Sequence, residues 1–243
     1  MKKSILLFVT GCFPTLFMEA QTQDSINEKL VLYYNQGIEY YEQKNYAAAI
    51  KAYEKAIQLN PNDPDTYNNK GNAEGKINKY KEAVIDFNKA IQLNPKHTVA
   101  YGNRAYAKYN LQDYTGALTD YNKATELDSA NSELYNNRGD VKSILKDYAG
   151  AIADYTKAVK LDPQYALALN NRGIAKLNSD DLAGAKDDFT LAIKIDRKYA
   201  DAYFNRANAS MRLGDIMNAC GDWGKAGELG YVEAYEYANK NCK

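Results

Sequence analysis

The stretch Leu134–Pro163, LYNNRGDVKSILKDYAGAIADYTKAVKLDP, sets apolar residues at helical spacing and predicts two amphipathic helices joined by a short turn. Asn137 and Arg138 sit in the first of them among residues expected to pack. The same pattern returns at a shift of 34 residues, as LNNRGI from Leu169 and YFNRAN from Tyr203. In the other direction it becomes YGNRAY from Tyr101, YNNKGN from Tyr67 and YYNQGI from Tyr33, with no insertion anywhere. A fixed period of this length decides the architecture before any local reading.

Six copies align as 30–63, 64–97, 98–131, 132–165, 166–199 and 200–233. The eighth position is always Gly or Ala, from Gly37 to Ala207. The twentieth is always Ala, from Ala49 to Ala219, and so is the twenty-seventh, from Ala56 to Ala226. Small residues at such places let helices approach closely, and large ones between them fill the gaps. The large ones recur at the fourth position (Tyr33, Tyr67, Tyr101, Tyr135, Leu169, Tyr203) and the twenty-fourth (Tyr53, Phe87, Tyr121, Tyr155, Phe189, Trp223). Pro61, Pro95 and Pro163 mark stops between copies.

These positions resemble the tetratricopeptide repeat, in which 34 residues form one antiparallel helix pair. The resemblance covers 30–233 and implies an all-α fold, a right-handed α-α superhelix of six antiparallel helix pairs whose first helices line a concave groove. Residues 234–243 are expected to form a capping helix, since stacked repeats need a closed end. The resemblance further implies a non-enzymatic scaffold that holds a protein or peptide segment.

Composition changes this picture only at the start of the chain. The 243 residues are 45% hydrophobic and 26% charged, with Lys+Arg and Asp+Glu balanced at 31 each. That is a globular composition without the basic face a nucleic-acid binder needs. The 22 tyrosines are accounted for by repeat packing rather than a cofactor box. Lys2 and Lys3, followed by SILLFVTGCFPTLFM and Ala20, resemble a signal peptide over 1–20, with 21–29 as a linker. The run is too short for a membrane span. Val9–Cys12 also resembles a lipobox, so a lipid anchor at Cys12 stands as the alternative to simple export to the periplasm or cell envelope. Cys220 and Cys242, near the ends of two antiparallel helices, are expected to form a disulfide in an oxidising compartment. Cofactors, metal sites and catalytic residues are not expected: phosphate loops and nucleophile elbows are absent, and the sole histidine, His97, falls in a turn where a solvated side chain is expected.

Two ladders of residues carry the functional question. The seventh position holds Lys70, Arg104, Arg138, Arg172 and Arg206, and the twenty-third holds Asp86, Asp120, Asp154, Asp188 and Asp222. The exceptions, Gln36 and Ala52, fall in the same copy. Base and acid vanish together, which predicts a salt bridge between the two helices of each repeat. The sixth position is asparagine without exception: Asn35, Asn69, Asn103, Asn137, Asn171 and Asn205. Asparagine is a poor helix former, so the ladder carries a cost.

In the family this position points into the groove, and the ladder resembles that of the superhelical domain of O-linked N-acetylglucosamine transferases, where asparagines hold the backbone of an extended peptide. An amide offers donor and acceptor to any peptide bond. Two readings stay open, peptide binding centred on Asn103, Asn137 and Asn171, or amides that bond to neighbouring helices and were copied with the repeat. Other groove positions hold Tyr34, Ile38, Tyr41, Tyr106, Tyr109, Leu167, Ile174, Leu177, Phe204 and Met211. Asp65, Glu133, Asp140 and Asp201 add negative charge, so the wall suits a segment with apolar and some basic residues. About half of these are expected to fill contacts between adjacent first helices. The fifth position (Tyr34, Asn68, Gly102, Asn136, Asn170, Phe204) lacks the lysine of chaperone-binding members, which argues against a carboxylate clamp. The alternative to peptide binding is a structural or oligomerising role through the ends or convex face.

Overall fold

The computed structural model describes residues 13–242, with side chains from Asp24 onward. The expected signal segment therefore lies partly, and Cys12 wholly, outside the described residues. All regular structure among the described residues is helical, and the chain divides into two compact units at Asn103 and Arg104.

The first unit contains α1 (Phe13–Glu42), α2 (Tyr46–Leu59), α3 (Pro64–Lys76), α4 (Tyr80–Leu93) and the start of α5 (Thr98–Asn110). Here α1 packs on α2, α2 on α3, and α3 on α4. The stretch 21–29, expected as a linker, lies inside α1. It contains neither Gly nor Pro, so nothing in its backbone chemistry stops a helix that continues into the first repeat.

The second unit takes up the rest of α5 and adds α6 (Tyr114–Leu127), α7 (Ser132–Ile144), α8 (Tyr148–Leu161), α9 (Ala166–Asn178), α10 (Leu182–Ile195), α11 (Ala200–Arg212), α12 (Ile216–Glu228) and α13 (Glu233–Asn241). From α6 to α13 each helix packs on the next, and first helices also touch in sequence, α7 with α9 and α9 with α11.

The core of each pair is set by size. Ala151 and Ala158 are fully buried, and so are their equivalents in every other repeat. Tyr53, Phe87, Tyr121, Tyr155, Phe189 and Trp223 fill the space between the helices. At the eighth position there is no room for more than the smallest residues opposite these rings. A Cβ on Gly139 would lie 2.7 Å from Tyr155 Cε1, and one on Gly37 2.3 Å from Tyr53 Cε1.

The turns follow rules of their own. The fifteenth residue of every repeat has positive φ, at Lys44, Asn78, Gln112, Lys146, Asp180 and Gly214, so the chain reverses through a left-handed residue after each first helix. Second helices open on a side-chain cap at Asn45, Asp113, Asp147 and Asp181. They end on a residue whose side chain accepts from the backbone N–H two residues on: Asn60, Asn94, Asp128, Asp162 and Asp196. This Asx turn stops α6 and α10 where no proline follows. The prolines are therefore an addition to the stop signal rather than its source.

Cys220 of α12 and Cys242, just after α13, are joined by a disulfide with Cα atoms 5.8 Å apart. Phe204 stacks on Tyr231 at 4.4 Å and meets Tyr237 edge-on at 5.1 Å, so α13 covers the end of the second unit with aromatic contacts as well as a covalent one. Among the described residues no helix is long and apolar enough to cross a membrane.

Candidate functional site

The charged ladder is a structural device. Arg138 grips Asp154 with two bonds, Nε to Oδ2 at 2.8 Å and Nη2 to Oδ1 at 2.5 Å. The same fork joins Arg104 to Asp120, Arg172 to Asp188 and Arg206 to Asp222, and Lys70 meets Asp86 at 2.7 Å. The arginines reach further than their own repeat. Arg138 Nη1 donates to Thr125 and Asn122, Arg172 to Thr156 and Arg206 to Thr190 on the preceding second helix. Each guanidinium thus links both helices of its pair to the pair before it.

A second cation, not anticipated from the sequence, completes the group. Lys108, Lys142 and Lys176 lie one turn after the arginines and reach the same aspartates at 2.7, 2.7 and 2.8 Å. Their recurrence at the eleventh position was the available signal. In the second repeat that position is Glu74, so Lys70 faces two carboxylates, at 3.2 Å from Glu74 and 2.7 Å from Asp86. Burial, reinforced by the Asp86 carboxylate, pushes Glu74 up to about 7 against the pull of Lys70. Glu74 Oε2 is buried without a hydrogen-bond partner.

The asparagine ladder is largely tied to the neighbouring first helix. Asn69 donates to the Tyr34 hydroxyl at 3.1 Å, Asn103 to Asn68 at 3.1 Å, Asn171 to Asn136 at 3.2 Å and Asn205 to Asn170 at 3.1 Å. The sixth-position amide meets the fifth-position side chain one repeat earlier. Asn137 differs: its Oδ1 accepts from Asn136 at 3.2 Å, and its Nδ2 has no hydrogen bond among the described residues. The equivalent fifth-position residue one repeat before it is Gly102, which has no side chain. Asn35 is exposed. These bonds use one amide hydrogen each, so Oδ1 and the second hydrogen of Asn171 and Asn205 remain, held in a fixed orientation.

The other groove candidates divide. Tyr34 packs against Tyr53, Tyr41 against Tyr46 and Tyr109 against Tyr114, all edge-on. Phe204, expected on the binding wall, belongs to the cap described above, because α13 brings Tyr231 and Tyr237 onto it. Tyr106 is half exposed. His97, expected to be solvated, is nearly covered. Its Nδ1 accepts from Ala100 N at 3.4 Å, and its Nε2 lies 3.1 Å from Asp65.

One cleft brings several candidates together. It encloses about 190 Å³ and is lined by Tyr109, Asp140, Ser143, Ile144, Tyr155, Asn171 and Ile174, all in the second unit. At its base Asp140 Oδ1 accepts from the Tyr155 hydroxyl at 2.7 Å and from Asn171 Nδ2 at 3.0 Å, and Oδ2 from Asn136 Nδ2 at a long 3.4 Å. Burial pushes the Asp140 carboxyl up to about 6, opposed by the bonds from Tyr155 and Asn171. Burial, and then the Asp140 charge, also raise the Tyr155 phenol, which stays a neutral donor.

A family profile described as TPR repeat matches residues 37–77, 105–143 and 144–179, and one described as tetratricopeptide repeat matches 64–97. No curated protein matches the chain. Among solved structures it is similar to YrrB, described as a TPR protein with an unusual peptide-binding site, with 23% identity, TM-score 0.66, and 78% of this chain and 99% of that one covered. A crystal structure of MamA aligns at 22% identity and TM-score 0.65, covering 72% and 95%. The structure from the functional characterisation of Pseudomonas aeruginosa pilF aligns at 17% identity and TM-score 0.75, covering 89% and 99%. At these identities the likeness is one of fold, an all-α solenoid of antiparallel helix pairs.

Proposed function

Because the chain belongs to the tetratricopeptide repeat family, whose fold serves protein–protein interaction, we propose that it is a non-enzymatic scaffold whose first helices in the second unit, α7, α9 and α11, bind an extended protein segment. The observation that carries this reading is the state of the asparagine amides. Asn171 and Asn205 are oriented by bonds to the preceding helix, yet each keeps an acceptor and a donor, while Asn137 keeps its whole NH2 group. A backbone that runs past them meets amides already fixed in place, which lowers the ordering cost of binding.

Each amide–peptide bond contributes about 1 kcal/mol net, so the ladder favours length over sequence. A random ten-residue peptide library, displayed and selected on the protein, tests the reading. The Asn137→Ala, Asn171→Ala, Asn205→Ala variant, shown by circular dichroism to be folded, is expected to bind the selected peptides about tenfold or more weakly. Equal affinity would remove the ladder from the binding site.

A second reading, a structural role through the end of the second unit, is favoured by Ile216, Met217 and Val232, which are 53%, 84% and 69% exposed. It expects oligomers in light scattering whose formation ignores the asparagine substitutions. Export belongs to the proposal as well. The basic and apolar start of the chain and the Cys220–Cys242 disulfide both fit an oxidising envelope compartment. Mass spectrometry of the N-terminus separates cleavage after Ala20 from lipidation at Cys12.

A further inference from the structure

Asp140 stands apart from the other buried carboxylates. Asp86, Asp120, Asp154, Asp188 and Asp222 each have a cation, and so does Glu74. Asp140 has none among the described residues: its partners are a phenol and two amides. An ionised carboxylate held out of water without a counter-charge costs stability.

The bond to Tyr155 does not require that charge. In the last repeat the corresponding ninth-position residue is Asn208, whose Oδ1 accepts from the ring nitrogen of Trp223 at 3.2 Å. A neutral amide therefore serves the twenty-fourth-position ring there. At Asp140 the negative charge is surplus to that task, and it lies at the base of an open cleft. Oδ2 has only the 3.4 Å contact from Asn136.

The walls fit one kind of occupant. Ile144, Ile174 and the Tyr109 ring offer apolar and aromatic surface above the carboxylate. A cavity of about 150 Å³ holds a molecule the size of benzene, so the cleft takes a single side chain. An apolar stem ending in a positive charge matches a hydrophobic wall over an acidic base, and the ring adds a cation–π face. Lys142 and Lys176, the nearest lysines on the same helices, are held by Asp154 and Asp188 and leave the site to an outside cation.

We propose that this cleft is a specificity pocket for one basic side chain, lysine or arginine, of the segment bound along the first helices, with the cation on Asp140 and its stem against Tyr109, Ile144 and Ile174. This rests on the groove reading above. Asn171 connects the two, because the amide that is expected to hold the segment's backbone also donates to Asp140.

The same ten-residue library is selected in parallel on the unsubstituted protein, on Asp140→Asn and on Ser143→Lys. The asparagine variant keeps an acceptor for Tyr155. The lysine variant leaves every Asp140 bond in place and puts a tethered cation on the cleft wall. Peptides from the unsubstituted protein are expected to share one basic position. Replacing it by norleucine should weaken binding about tenfold or more, and both variants should lose the preference for it while they still bind peptides. Groove-bound peptides without a shared basic position would overturn the pocket and leave the groove reading intact, as would a basic position that both variants still demand. Selection of no peptide that depends on the asparagine ladder would overturn both.

Discussion

At the residue scale, the contrast between Glu74 and its equivalents Lys108, Lys142 and Lys176 shows how one exchange reverses local electrostatics. Three repeats set two cations against one aspartate, while the second sets one lysine against two buried carboxylates. Glu74 binds its proton more tightly in the folded chain, at about 7, than in the unfolded one, near 4.5. Its contribution to stability is therefore fully present below about pH 4.5 and is lost as the pH rises through 7. Glu74→Gln is expected to stabilise the protein at pH 8 by roughly 1–2 kcal/mol, with the difference from the parent closing by pH 4.5. Urea unfolding at the two pH values checks this, and a gain that is the same at both would refute it. The surplus charge of Asp140 belongs to the same scale but has a cleft to serve, and Glu74 has none.

At the scale of the element, each helix is delimited by side-chain hydrogen bonds that recur with the period. The second helices open on Asn45, Asp113, Asp147 and Asp181, whose side chains accept from the backbone three residues on at 3.3, 2.9, 2.9 and 2.9 Å. α4 opens on Lys79, which makes no such bond. Lys79→Ser would place a hydroxyl three residues before Glu82, the spacing of a reciprocal capping box. The expected result is a gain of about 1 kcal/mol in chemical denaturation, without change in helical content. No gain would mean that α4 is held by its packing on α3 alone. The fraying of a first turn is local, so the effect should be read on the first unit.

At the scale of the whole chain, stability in a repeat array accumulates from neighbour contacts, and the last pair has one neighbour fewer. The second unit meets this with α13, whose aromatic residues cover Phe204 and Trp223 and whose end is tied to α12. The disulfide closes a separation of 22 residues, for which restriction of the unfolded chain contributes about 3 kcal/mol. Cys220→Ser with Cys242→Ser is expected to lower stability by about that amount. Hydrogen exchange should rise in α13 first. Loss of protection spread evenly over α7 to α12 would count against a local capping role.

The period of 34, the small residues at the eighth, twentieth and twenty-seventh positions and the aromatic at the twenty-fourth determine the helix pairs. These are contacts between residues whose spacing in sequence is the same in every copy, so one chain displays the constraint six times. The fork from Arg138 to Asp154 joins positions that vary together for the same reason. What the tertiary structure alone decides is how side chains are shared between repeats. Asn171 and Asn205 look identical to Asn137 in sequence, but only neighbouring helices reveal that two are tied to the repeat before and one keeps its donor. Phe204 occupies a groove position and yet packs under α13, because a capping helix has no counterpart in the period. Asp140 is one acid among many until α7, α8 and α9 close around it and leave it the only buried carboxylate, among the described residues, that lacks a cation. Repetition records what every copy needs, and a binding site is made where one copy departs from it.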